Sequence, residues 1–275
     1  MRQVVNEIQL VTVLESEIMK EEAKRSNNDT SLRLNSLFQN WIDRDLKSTY
    51  DDIGEMTFLR DEEQFVKDGI FPTSREWRNI QPPKILFILK EPSGELSRLT
   101  KGKDIPKCID HDGWDAIIKS HSLCDLFKIG RKGAGWSFNA LGRWAYGLKQ
   151  IQNNKSCSYD EAQTNKDAAF LQAAIMNLKK TPGGTSCVYK KLKKYVITNK
   201  DLIKSEIEII LPDLAICCGH GVFDLVKFVI GAQDKGASAF FKHGRTLYLR
   251  ACHPQVAGKK NFNKLLNIYK DVIEQ

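Results

Sequence analysis

Four short apolar runs constrain this chain more than any other feature: residues 84–90, 173–178, 214–218 and 246–252. The first is unbroken from Ile85 to Leu89 and reads as a strand buried on both faces. Helical patterns separate the runs. One long helical stretch passes through Trp114 to Ile118 and then through Trp136 to Leu148. Others cover about 200–211 (stopped by Pro212), a segment through Phe223 and Val226, and about 262–273. Strand–helix alternation of this kind implies an α/β fold of three α/β/α layers around a four-stranded parallel sheet. Ligands of such sheets bind where the strands end, so the residue that closes each run matters most.

The first 80 residues follow a different rhythm. Val4, Ile8, Val11, Leu14 and Ile18 recur at helical spacing, and a second helix would carry Leu34, Leu37, Phe38, Trp41 and Ile42 on one face. Asp29, Thr30 and Ser31 are cap candidates for that helix, and Thr73-x-x-Glu76 has the form of a capping box. Pro82-Pro83 closes the region. The expected organisation is an N-terminal helical extension over 1–80, capping a main α/β domain over 81–275.

With 275 residues, 41% of them hydrophobic, the chain can bury a large core. It contains no apolar run of membrane-spanning length, and Glu7 and Glu15 interrupt an N-terminus that does not resemble a signal peptide. A cytosolic protein, in a bacterial cytosol, is the expectation. The net charge of +8 favours phosphate-rich partners, and the lysines come in pairs at 179–180, 190–191, 193–194 and 259–260. The seven cysteines include no C-x-x-C, and Cys217 and Cys218 lie in an apolar run as expected of core thiols. Nothing in this spacing calls for a metal or another cofactor.

Three of the runs end in polar residues. The first ends in Glu91-Pro92-Ser93-Gly94, the second in Asn177 with Lys179 and Lys180 beyond it, and the last in His253-Pro254-Gln255. In a parallel sheet all three would face one crevice. These segments together resemble the motifs of the uracil-DNA glycosylase superfamily. Leu89-Lys90-Glu91-Pro92-Ser93 stands where that family has its first strand-and-turn motif. Ile175-Met176-Asn177-Leu178-Lys179-Lys180 is similar to the strand that ends in a base-reading Asn. The stretch from Glu206 through Pro212 into Cys217-Cys218-Gly219 resembles the following helix and strand, and His253-Pro254-Gln255 the closing H-P-S. Order and spacing agree over about 84–275. Lys90 replaces the motif Gly, Gln255 replaces its Ser, and the cysteines of the iron–sulfur branch are missing.

The resemblance implies a DNA glycosylase that flips a base out of the stack and hydrolyses its N-glycosidic bond. Glu91 would stabilise the cationic sugar and orient water, and His253, neutral or cationic, would donate to the departing base. Asn177 would read the base edge. Ser93 would leave room for a C5 substituent that the Tyr of the most uracil-selective members excludes, so a modified, phage-type cytosine is as suitable a substrate as uracil, in antiviral defence or in repair. Trp136, Phe138 and Trp144 are candidates for stacking on the base. Gly94, Lys180, Gln255, Lys259 and Lys260 are candidates for DNA contacts, with Val256 as a wedge. Lys90 would point away from Glu91, which favours a monofunctional enzyme acting as a monomer on single- or double-stranded DNA. A non-catalytic nucleic-acid-binding module is the main alternative. The glycine-rich 131–135 matches no nucleotide-binding fingerprint, and Asp110-His111-Asp112 lacks the partners of a metal phosphohydrolase.

Overall fold

A computed structural model of the chain describes residues 29–47, 68–91 apart from 71 and 73, 134–181, 187–233 and 238–274. The helices expected around 4–18 and 114–118, the capping-box Thr73, and the motifs at 110–112 and 131–133 lie outside these residues.

All four apolar runs are strands, named with their neighbours in chain order: β1 Gly69–Ile70, β2 Ile85–Leu89, β3 Ala174–Asn177, β4 Leu214–Cys218, β5 Phe240–His243 and β6 Thr246–Ala251. Their order across the sheet is β1-β3-β2-β4-β6-β5. The inner four, β3-β2-β4-β6, run parallel in register Leu86 to Ala174, Leu86 to Ala215 and Ala215 to Tyr248. The expected four-stranded parallel sheet is therefore the centre of a mixed, six-stranded one. Each added edge strand is antiparallel: β1 against β3, and β5 against β6. Neither carries a long apolar run. β1 has two residues, and β5 enters a tight turn at Gly244 (φ +57°) with its Lys242 and His243 exposed. A strand wetted on one side loses the continuous apolar signal that marks the inner strands.

The pleat sends alternate side chains to two cores. Leu86, Ile88, Ala174, Met176, Ala215 and Cys217 face one; Ile85, Phe87, Ile175, Leu214, Ile216 and Cys218 face the other. The first core is covered by α1 Thr30–Lys47, α2 Ser74–Asn79, α5 Tyr189–Thr198, α6 Lys200–Ile210 and α7 Val222–Ile230. The second is covered by α3 Ala134–Gln152, α4 Tyr159–Phe170 and α8 Lys259–Ile273. Cys217 and Cys218 are wholly buried, and burial pushes both thiols far up. Among the described residues no helix is long and apolar enough to cross a membrane.

The described part of the N-terminal region is built into the first core. Asp29 Oδ1 accepts the backbone N–H groups of Ser31 (2.9 Å) and Leu32 (3.2 Å), capping α1, and the Ser74 hydroxyl (2.6 Å), which ties α1 to α2. Leu34, Phe38 and Trp41 on α1 are completely covered. Trp77 Nε1 donates to the Ile210 carbonyl at 2.8 Å, fixing α2 on the end of α6. Truncating a wholly buried aromatic ring typically costs about 3–5 kcal/mol. Phe38→Ala should therefore destabilise the described fold as a unit, with one denaturant transition, monitored by circular dichroism, at a lower midpoint. Loss of α1 alone in a separate early transition would show that α1 is an independent appendage.

Candidate functional site at the carboxyl edge of the sheet

The carboxyl ends of β2, β3, β4 and β6 meet at one edge. Residues just past a strand diverge with the pleat, and Lys90 and Glu91 do so here. Glu91 turns toward β3, where its Oε2 accepts a 3.0 Å ion pair from Lys179, and both side chains are nearly covered. Cys187 lies against the same carboxylate. Its thiol is pushed up by burial first and by Glu91 second. Lys90 turns the other way, over the tip of β4, toward His253.

Gly219 makes that approach possible. It follows β4 with φ +103°, and a Cβ there would stand 3.2 Å from Lys90 Cε and 3.5 Å from His253 Cδ2. The ammonium-bearing chain and the imidazole thus flank one backbone position. His253 caps the 3-10 turn Pro254–Val256, with its Nδ1 accepting the Gln255 N–H at 3.3 Å. Accepting at Nδ1 leaves the proton of a neutral ring on Nε2. Burial, and then the positive charge of Lys90, lower the His253 pKa below its ordinary 6.5. The lowered pKa favours the uncharged ring, with its proton on Nε2.

Asn177 closes β3 and is almost fully buried. Its backbone N–H (2.5 Å) and its Nδ2 (3.0 Å) both donate to Asp68 Oδ2. Asp68 Oδ1 takes the Lys180 ammonium at 2.5 Å, and the same ammonium lies 2.8 and 2.7 Å from Glu206 Oε1 and Oε2. Lys180, Asp68 and Glu206 have no exposed side-chain surface. Burial, with Asp68 adding to it and Lys180 opposing, drives the Glu206 carboxyl well above the ordinary range. A proton on Glu206 leaves the trio neutral. The Lys180 ammonium also sits 5.4 Å from the Phe38 ring and 5.2 Å from Trp41.

Several expected roles change. Lys180, a candidate phosphate contact, is enclosed between two carboxylates and presents nothing to a partner. Trp144 is a core residue and offers no face to a base, while Phe138, half-buried, packs on Phe170 with ring centroids 5.3 Å apart. The side chain of Trp136, and all of Pro92, Ser93 and Gly94, lie outside the described residues. Gln255, Lys259 and Lys260 are exposed beyond His253, as is Val256, at 64%.

Two further elements reach this edge: one that the sequence did not single out, and one singled out only for its lysine pairs and not as a helix. Asp68, just before β1, gives no motif signal. The helix α5 carries exposed Lys190, Lys191, Lys193 and Lys194, while its Leu192, Tyr195 and Val196 are buried. Its first residue, Tyr189, lies on Gly221 and beside His220 (5.9 Å between rings), in the turn that follows β4. The spacing of 192, 195 and 196 was the available helical signal, hidden among lysines.

Two outcomes follow from this geometry. Titrated by NMR, the His253 ring should protonate below pH 6.5, and Lys90→Gln should move its midpoint upward, because a nearby positive charge disfavours a second one. Gly219→Ala should cost about 1–3 kcal/mol in denaturant unfolding, since only glycine holds that backbone conformation without strain.

Comparison of the sequence with protein-family models finds no match. Comparison with curated proteins finds none either.

Proposed function

We propose that the protein is a monofunctional DNA glycosylase, which flips a pyrimidine base into the carboxyl-edge crevice and hydrolyses its N-glycosidic bond to leave an abasic site. One observation carries the reading: Asn177 ends, and Glu91 and His253 closely follow, three parallel strands of one sheet, all at its carboxyl edge. Four inner parallel strands with helices on both faces are also the α/β/α core that the resemblance implies. The biological setting that fits is DNA repair or antiviral defence.

The residues divide the work by charge. Strands β2 and β6 are separated by β4, so Glu91 and His253 start from strands about 10 Å apart. That spacing accommodates a nucleoside, with sugar on the Glu91 side and base on the His253 side. As the C1′–N bond breaks, its electron pair leaves with the base and positive charge grows on the sugar. Glu91, held by Lys179, stabilises that charge and takes the proton of the water that forms the new C1′–O bond. His253 donates Nε2–H to the base oxygen where negative charge collects, and Lys90 adds an ammonium on the same side. Asn177 meets the base edge.

The surface suits a polyanion. Exposed Gln255, Val256, Lys259 and Lys260 continue from His253, and the lysines of α5 rise from the far side of the β4 tip. Val256 is apolar and prominent enough to fill the gap left by a flipped base. Binding should weaken steeply with salt. Uracil and C5-substituted cytosines, including hydroxymethylated and glucosylated forms, are the substrates to compare. Ser93 is the sequence reason for including the bulky ones.

The deciding experiment is a panel of oligonucleotides carrying uracil, mismatched thymine or C5-modified cytosine, incubated with wild type or Glu91→Gln and then treated with hot alkali. The expected result is alkali-labile breaks at one class of base with wild type, reduced by about 10²-fold or more in the variant. No break at any base, with salt-sensitive DNA binding unaffected by Glu91→Gln, would replace this reading with that of a binding module.

A further inference from the structure

The crevice contains a second layer that no sequence motif announces. Asp68 comes from a segment 109 residues before Asn177, yet a single oxygen of it receives both the backbone N–H and the side-chain Nδ2 of that residue. An ionised carboxylate accepts and does not donate. Of the two ways an asparagine amide can face, only one places Nδ2 on Asp68, and it leaves Oδ1 and the second Nδ2 hydrogen for whatever lies in the crevice. The other Asp68 oxygen is held by the buried Lys180 ammonium, which Glu206 holds in turn. Neither Lys180 nor Glu206 has exposed side-chain surface, so their contacts are not adjustable by water.

We propose that Asp68 is a positioning residue: anchored by Lys180, it locks the direction of the Asn177 amide and so restricts the site to one hydrogen-bonding pattern of the pyrimidine edge. This rests on the glycosylase reading. Uracil and thymine present an N–H beside a carbonyl, whereas cytosine and its C5-modified forms present a bare ring nitrogen beside an amino group. The two patterns are mirror images in donor and acceptor. An amide free to flip could pair with either, and an amide pinned to a carboxylate pairs with one. Discrimination between these classes would come from Asp68 without its touching the base.

The change that tests this is Asp68→Asn. It removes one of the two carboxyl groups around Lys180; Glu206, whose carboxyl the Asp68 charge helps to push up, can then ionise and remain as the counter-ion of the buried ammonium. The new amide would face Lys180 with its oxygen and turn its NH₂ toward Asn177, so that Asn177 is no longer held by Nδ2. In the oligonucleotide panel, Asp68→Asn should lower the ratio of cleavage between the preferred and the opposite edge pattern by about tenfold or more. Glu206→Gln, which leaves the Asp68–Asn177 contact in place, should keep that ratio. Equal loss on every base would overturn the proposal, because a purely structural role lowers all rates together.

A second measurement needs neither a folded variant nor activity. In wild type, the assigned side-chain NH₂ of Asn177 should show two widely separated proton shifts and slow hydrogen exchange, as for an amide held on a buried carboxylate. A rapidly exchanging, solvent-like pair of signals would overturn the lock. If wild type releases no base from any oligonucleotide, the glycosylase reading fails, and the NMR result still decides whether Asp68 holds Asn177.

Discussion

Burying one ammonium organises much of this structure. Lys180 lies directly after β3 and has no exposed surface. An isolated cation in that position would cost several kcal/mol even after relaxation. The fold answers with carboxylates from two distant places, Asp68 before β1 and Glu206 on α6, and with the ring faces of Phe38 and Trp41 from α1. None of these groups is a sequence neighbour of Lys180. The ammonium is satisfied only when α1, the β1 segment, the end of β3 and α6 are in place together. The cluster is complete only in this one arrangement of the chain. Asn177 is inside that geometry, because the carboxylate that holds Lys180 also holds the Asn177 backbone and amide.

The sheet supplies the second constraint. Four neighbouring parallel strands deliver their last residues to the same side. The pleat then parts consecutive residues: Lys90 crosses the β4 tip toward His253, and Glu91 goes to Lys179 beside β3. Opposite charges that are adjacent in sequence therefore point to different sides of the sheet edge. Gly219 permits this, since a Cβ at the end of β4 would stand tightly, at 3.2 Å, against Lys90 Cε.

The inner strands were legible because burial on both faces leaves an unbroken apolar run. Those 84–90, 173–178, 214–218 and 246–252 readings fall within one or two residues of the observed strands. The edges were not legible, because β1 is two residues long and β5 is half wetted. For the site, the closing residues Glu91, Asn177 and His253 stood out because each ends an apolar run with a polar group. Lys180 was misread for a sound physical reason: a lysine is rarely buried, so a lysine in a basic cluster is expected in solvent. Its two counter-ions come from 112 residues before it and 26 after it, and local spacing carries no trace of either contact. Trp144 illustrates the converse, an aromatic residue near a motif whose place is the core.

The charge arrangement also bears on what the proposed reaction would gain. A neutral His253 beside Lys90 contributes little to binding an intact, uncharged base. As the glycosidic bond lengthens, negative charge moves onto the base, and both the Nε2–H and the ammonium begin to act on it. Interactions that strengthen only as the bond breaks raise the rate, while those already present in the ground state do not. The same logic applies across the crevice, where Glu91 meets positive charge only once the sugar becomes cationic. Lys179 holds Glu91 in an ion pair, and in the proposed reaction a developing sugar cation would compete for that carboxylate. Lys90 therefore has two effects with one sign. It disfavours protonation of His253, and in the proposed reaction it would favour the anionic departing base.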